Sequence, residues 1–176
     1  MAMDIKELFA KQEEMKQKNL NAKTEKESEI TKVMTFYIGD QVYGIEIPSV
    51  IEIIGVPHIT VVPGIPYYIK GIINVRSKVV PVIDMRSRFG KPEKEYNERT
   101  NTIIIEEGGV SVGVIVDEVI GVLPVFAKNI ADSPDRIGVN DNKFIKYLLE
   151  MQDGIKLVLD VNKLIYDGDM YMPDDM

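Results

Sequence analysis

Residues 69–84 read Ile69-Lys70-Gly71-Ile72-Ile73-Asn74-Val75-Arg76-Ser77-Lys78-Val79-Val80-Pro81-Val82-Ile83-Asp84. Two β-branched runs, Ile69–Val75 and Val79–Ile83, flank the polar break Arg76-Ser77-Lys78. Such runs suit a pleated, half-buried surface, and a short polar break turns the chain, so the stretch predicts a hairpin. Asp84 heads a mixed segment, as the N-cap of a short helix does.

The same pattern extends in both directions. Met34–Ile38 and Val42–Ile47 flank Gly39-Asp40, Thr102–Ile105 and Val110–Val116 enclose Glu106–Gly109, and Phe144–Met151 and Ile155–Leu159 enclose Gln152-Asp153-Gly154. The last of these carries the strong Asp-Gly hairpin signal. Asp160 begins a second short helical piece. Helical periodicity is confined to these two pieces, so the expected class is all-β.

The hairpins fall into an internal repeat. Gly44-Ile45-Glu46-Ile47-Pro48-Ser49-Val50-Ile51-Glu52-Ile53-Ile54 aligns without gaps on Gly113-Val114-Ile115-Val116-Asp117-Glu118-Val119-Ile120-Gly121-Val122-Leu123. Tyr68-Ile69-Lys70 then matches Phe144-Ile145-Lys146, and Val82-Ile83-Asp84-Met85 matches Val158-Leu159-Asp160-Val161. Three matches in order point to two copies of one β unit, about 33–92 and about 100–168. A unit of roughly 60 residues is too small for a sandwich and is expected to close into a barrel that removes its edges. Alone it would be marginal for its size, so the copies are expected to pack together and leave a groove at the joint. Lys91–Arg99, with Pro92 and many charges, reads as the connector. Residues 1–30 are rich in Lys, Glu, Gln and Asn and read as a disordered tail or a frayed helix.

Composition narrows the function. The chain has 176 residues and no Cys, which excludes disulfides, thiolate metal sites and thiol nucleophiles. A lone His58 builds no multi-histidine metal site, and its apolar neighbours read it as structural. The formal charge of −7 argues against a nucleic-acid surface. No signal peptide and no apolar run long enough to span a bilayer is seen, so a cytoplasmic protein without direct membrane insertion is expected. The Met1 start and short acidic end read as a free-standing protein.

The motifs G-x-x-x-x-G-K-[ST], G-x-G-x-x-G, H-E-x-x-H and G-x-S-x-G are all absent. Asp117-Glu118 would point to opposite faces of a strand, so the pair reads as a solvated strand end and not as a catalytic dyad. Asp167, Asp169, Asp174 and Asp175 lack cation-loop spacing and read as solvated. No catalytic residue, metal or cofactor is expected. The polar chemistry that stands out is Asn74 and Arg76. Repeat two has Glu150 and Gln152 at those positions. On a strand the two would share a face and could grip carbonyls or a carboxylate on a partner. The residues alone fit an ordinary polar hairpin end equally well.

The string 69–84 resembles the signature of CheW-like domains, in which a hydrophobic–Gly–hydrophobic–hydrophobic–Asn–hydrophobic–Arg–Gly hairpin precedes an apolar strand with Pro, ending in Asp or Asn. Tyr43-Gly44-Ile45 with Val50-Ile51-Glu52-Ile53 resembles the family's opening, and Val112–Val119 its second-barrel motif. The resemblance runs from about Lys32 to Asp167, within a domain placed at 31–176. It implies two interlocked five-stranded SH3-like β-barrels, no catalysis, and an adaptor of bacterial chemotaxis joining the cytoplasmic tip of chemoreceptors to the C-terminal regulatory domain of a CheA-type histidine kinase. By carry-over, the receptor groove would use Val50, Glu52, Gly71, Asn74, Arg76, Val119 and Val122. The kinase contact would fall near Ala131, Asp132, Ser133, Pro134, Asp135, Arg136 and Ile137. Localisation is then cytoplasmic, at membrane-bound receptor arrays. The family has Gly after the Arg where this chain has Ser77, which costs about 1–2 kcal/mol if the turn needs φ > 0. The alternatives are a CheW-like module of another two-component regulator and a small-molecule-binding β-barrel.

Overall fold

The computed structural model describes residues 5–131 and 142–166, without the side chains of 19–27 and 142. A helix, α1 (Ile5–Glu27), leads through Ser28 into β1 (Glu29–Ile38), so ordered structure starts before the unit boundary expected near residue 33. There follow β2 (Gln41–Glu46), β3 (Val50–Ile54), β4 (Ile69–Val75), β5 (Lys78–Asp84) and the short helix α2 (Met85–Arg88). The second half gives β6 (Asn101–Glu107), β7 (Val110–Val116), β8 (Glu118–Phe126), β9 (Ile130–Ala131), β10 (Ile145–Met151), β11 (Gly154–Leu159) and α3 (Val161–Tyr166). The four expected hairpins form as β1–β2, β4–β5, β6–β7 and β10–β11. Both Asp-headed helices are present. Asp84 accepts from the N–H groups of Arg86 and Ser87, and Asp160 from that of Lys163 at 3.1 Å.

The strands are all-β in class but do not stay with their own repeat. One sheet has six strands in the order β8-β1-β2-β11-β10-β9, and the other has five in the order β3-β6-β7-β5-β4. Each repeat therefore hands its first hairpin to the other's sheet, and 33–92 and 100–168 do not map onto separate barrels. The two sheets match strand for strand, β3-β6-β7-β5-β4 corresponding to β8-β1-β2-β11-β10. The joints are parallel pairings, Val82↔Gly113 in one sheet and Val158↔Gly44 in the other. Gly44 and Gly113 are repeat equivalents, and so are Val82 and Val158. A Cβ on Gly113 would sit 3.2 Å from the Thr102 methyl, and one on Gly44 3.4 Å from Val33 Cβ. Glycine thus stands where each exchanged hairpin is tightest against its own partner strand, on the strand that makes the parallel joint.

Backbone pairing does not close either sheet into a barrel among the described residues, a second departure from expectation. Short partners take up part of the free edges instead. Thr60 exchanges two 2.9 Å hydrogen bonds with Ile72 on β4, and β9 pairs with β10. The main core lies between the sheets and holds Phe36, Tyr43, Ile45, Ile83, Ile103, Ile105, Val114, Phe144 and Leu159. A smaller cluster centres on Ile73, Val80, Val82, Ile104 and Ile115, and another on Val33, Val125, Leu149 and Val158.

Asp117 is not the solvated strand end the sequence suggests. Arg86 from α2 grips both of its oxygens at 2.7 Å, and the Gly39 N–H in the β1–β2 turn donates at 2.8 Å. Both side chains of the pair are less than 20% exposed, at 18% and 14%. Burial alone would push the Asp117 carboxyl up, but the bonds from Arg86 and Gly39 win and hold it below the usual carboxylate range. The same pair raises Arg86 above its ordinary value. Asp84 caps α2 and also accepts from the Tyr96 hydroxyl at 2.5 Å, which pins the 91–99 connector and, with burial, raises the Tyr96 phenol. His58 is exposed and not packed as a structural residue.

Asp117→Asn should lower unfolding free energy at pH 7 by about 2 kcal/mol in urea titrations, because Arg86 keeps its charge and loses its partner. A carboxylate with a depressed folded pKa stabilises above its unfolded value near 4 and loses that contribution as pH falls through the folded value. The variant should therefore lose less stability than the parent below about pH 4. Equal stability and an unchanged acid limb would remove the pair from this account.

Candidate functional site

The strand exchange leaves β3 and β8 as equivalent end strands, and their register decides which side chains face the inter-sheet core. Directly opposed residues share a face of the sheet. On β3, Val50 opposes Ile105 and Ile53 opposes Ile103. On β8, Val119 opposes Phe36 and Val122 opposes Met34. All four opposed residues belong to the main core, so Val50, Ile53, Val119 and Val122 form its open margin. Val50 and Val119 pack partly against that core, whereas Ile53 is 38% and Val122 50% exposed. The Val119 N–H donates to Asn101 Oδ1 at 3.0 Å, at the head of β6 and beside the end of β3, which ties the two edges together.

Each edge strand also carries a bulge at the same repeat position. The register slips at Ile51 in β3 and at Ile120 in β8, leaving these side chains 55% and 49% exposed. The result is an apolar seam built twice over, with Val50, Ile51 and Ile53 equivalent to Val119, Ile120 and Val122. A bulge re-aims a strand edge and interrupts its ladder, which limits open-ended strand addition there. What remains on offer is apolar side-chain area, suited to a protein partner.

Three of the seven expected groove residues, Val50, Val119 and Val122, meet at this seam. Ile53 shares the seam with them, as its place opposite Val122 in the ungapped repeat alignment allows. Glu52 points to the other face of β3, opposite Ile104, and forms a 3.0 Å ion pair with Arg76. That pair bridges β3 and the β4–β5 turn, spanning the two ends of the five-stranded sheet. Arg76 is 82% exposed on its side chain, so the bridge itself adds little stability. It does brace the guanidinium against β3, on the face of that strand turned away from Val50 and Ile53.

Asn74 and Arg76 do not stand side by side on a strand as expected. β4 ends at Val75, and Arg76 and Ser77 form the two-residue turn with φ of 49° and 66°. Positive φ at both positions is the type I′ hairpin geometry, so Ser77 occupies a left-handed site where glycine would be unstrained. Asn74 opposes Val79, and both are exposed. Gly71 is not available to a partner. It is buried at a bulge with φ of 147°, and a Cβ there would collide with the Thr60 carbonyl oxygen. Its task is to let the 55–68 connection lie on β4. Of the expected kinase-contact residues, Ala131 ends β9 and packs against the main core; Asp132, Ser133, Pro134, Asp135, Arg136 and Ile137 lie outside the described residues.

A concavity of about 630 Å³ lies elsewhere, lined by Tyr37, Asp40, Arg86, Lys94 and Glu118 among others. Its central charges, Arg86 and Asp117, already satisfy each other. Among the described residues no three His, Asp or Glu side chains gather as a metal site, and no helix is long and apolar enough to cross a membrane.

Comparison with known proteins accords with this geometry. Residues 32–169 match the model of the CheW-like domain family. The chain is 31% identical over 143 residues to the chemotaxis protein CheW of Klebsiella aerogenes, covering 81% of this chain and 86% of that one. With the chemotaxis protein CheW of Bacillus subtilis the identity is 32% over 134 residues, covering 76% and 86%. In three dimensions it resembles the scaffolding protein CheW of Thermoanaerobacter tengcongensis, with a TM-score of 0.74, 30% identity, and coverage of 81% of this chain and 97% of that one.

The backbone at the Arg76 hairpin yields two opposite expectations. Ser77→Gly relieves a left-handed residue and should stabilise by about 1 kcal/mol, read as a higher thermal midpoint. Gly71→Ala should destabilise by about 3 kcal/mol or more through the clash with Thr60. A Gly71→Ala protein as stable as the parent would contradict the close approach of 55–68 to β4.

Proposed function

The chain belongs to the CheW-like domain family, and from that premise we propose that it is a non-catalytic adaptor of bacterial chemotaxis that couples chemoreceptors to a CheA-type histidine kinase. The observation that carries the reading is the duplicated apolar seam of Val50, Ile53, Val119 and Val122, left open at the margin of an otherwise filled core. Members of this family are scaffolds and not enzymes, and the seam suits that work: it offers apolar area for a partner and no convergent acid, base or nucleophile. In this reading the receptor's cytoplasmic tip docks at the seam, with Arg76 orienting it and apolar contacts providing most of the affinity. The kinase's regulatory domain engages a second surface beginning at Ala131. Joining two partners raises the local concentration of one beside the other, and the signal passes as a change in contact geometry with no covalent step. The protein then works in the cytoplasm at receptor arrays, and it needs no cofactor.

Isothermal titration against the isolated C-terminal domain of the CheA-type kinase from the same organism should give saturable one-to-one binding. Titration against a receptor-tip fragment should be weakened by about 2 kcal/mol in Val122→Glu and about 1–2 kcal/mol in Arg76→Ala, as for interface anchors. Kinase binding should be unaffected by Val122→Glu. Absence of kinase binding would remove the coupling role, and an undiminished receptor affinity in folded Val122→Glu would remove the seam from it.

A further inference from the structure

Helix α1 lies outside the segment that matches the family model, and its first three turns carry four apolar side chains toward one side. At 100° per residue, Ile5, Leu8, Phe9 and Met15 fall within a sector of about 120°. Lys6, Glu7, Lys11, Glu13, Glu14 and Lys18 lie outside that sector, while Gln12 and Lys16 share it. The four apolar side chains are 69%, 45%, 62% and 68% exposed among the described residues. A single residue, Ser28, joins α1 to β1, the strand paired with β8.

We propose that α1 is an intramolecular strap that folds back over the β8 edge and competes with the receptor for the seam; the proposal rests on the reading of that seam as the receptor groove. The lengths agree. Met15 stands about 18 Å up the helix from Glu27 at 1.5 Å per residue. Met34, which opposes Val122, stands about 17 Å along β1 from Glu29 at 3.3 Å per residue. Leu8 and Phe9, at about 28 Å, come level with the start of β8, where Glu118 opposes Tyr37. Lys11, at about 24 Å, falls close to Glu118, so charge matches as well as apolar area. Ile30, 57% exposed near the hinge, extends the apolar track beneath the helix.

The chain has no Cys, so a designed pair reports directly. Met15→Cys with Val122→Cys should form a disulfide in oxidised glutathione within one chain, at a rate independent of protein concentration. Met15→Cys with Val79→Cys, at a site on the other sheet, should form it much more slowly. Equal rates for the two pairs, or cross-linking between chains that rises with concentration, overturns the strap. The paired substitutions Leu8→Glu and Phe9→Glu should raise receptor-tip affinity threefold or more, and unchanged affinity overturns the competition. If neither parent nor variant binds a receptor tip, the groove reading fails and with it the competition, and the cysteine pair still judges the closure.

Discussion

The reciprocal exchange of hairpins is the constraint from which the rest of the architecture follows. Repeat one gives β1–β2 to the six-stranded sheet and keeps β3, β4 and β5 in the other; repeat two does the converse with β6–β7. Neither set of strands left behind has a central hairpin of its own, so neither repeat completes a sheet without the other. The parallel joints β5–β7 and β2–β11 hold the exchange together, and each is built around a glycine. The shared core between the sheets, with Phe36, Tyr43, Phe144 and the β-branched residues around them, draws on both halves at once. A mutation in either half should therefore be felt as a loss of global stability and not as the melting of one subdomain.

The proposed receptor surface is a by-product of the same arrangement. Once the first hairpins are exchanged, β3 and β8 end as equivalent edges flanking the core they help to cover. Each edge is bulged at the same position and lined by the same kind of residue. The pseudo-symmetry stops at the hairpin tips. Repeat one presents Arg76 in a strained two-residue turn, braced by Glu52. Repeat two presents Gln152 and Asp153, and Asp153 turns back to the buried Lys156 at 2.8 Å. The adaptor thus has one common apolar seam and two differently charged ends, which allows a partner to be bound in a single orientation.

Much of this was legible in the residues and some of it was not. The alternation of β-branched runs and the Asp caps at Asp84 and Asp160 located the hairpins and both short helices, because those signals are local. The ungapped match of 44–54 with 113–123 located the two edge strands and most of the seam. The exchange itself was not legible, since a period of two says which face a residue occupies and not which strand lies beside it. Asp117 and Arg86 are far apart in sequence, and nothing in either neighbourhood signals the ion pair that buries them. The resemblance assigns Gly71 to the groove, and nothing in the string 69–84 signals the 55–68 connection packed over it. Closure of the sheets is the expectation from the cost of free edges; here Thr60 and β9 cover the β4 and β10 edges, and bulges at Ile51 and Ile120 blunt the β3 and β8 edges.

The most direct test of the account is a methyl-labelled magnetic resonance titration with a receptor-tip fragment. Binding at the seam predicts that the methyl groups of Val50, Ile53, Val119 and Val122 shift first and furthest, while those of the core residues Val33 and Val158 on the far side stay in place. Saturable binding that leaves the four seam residues unmoved would place the receptor elsewhere and contradict the account.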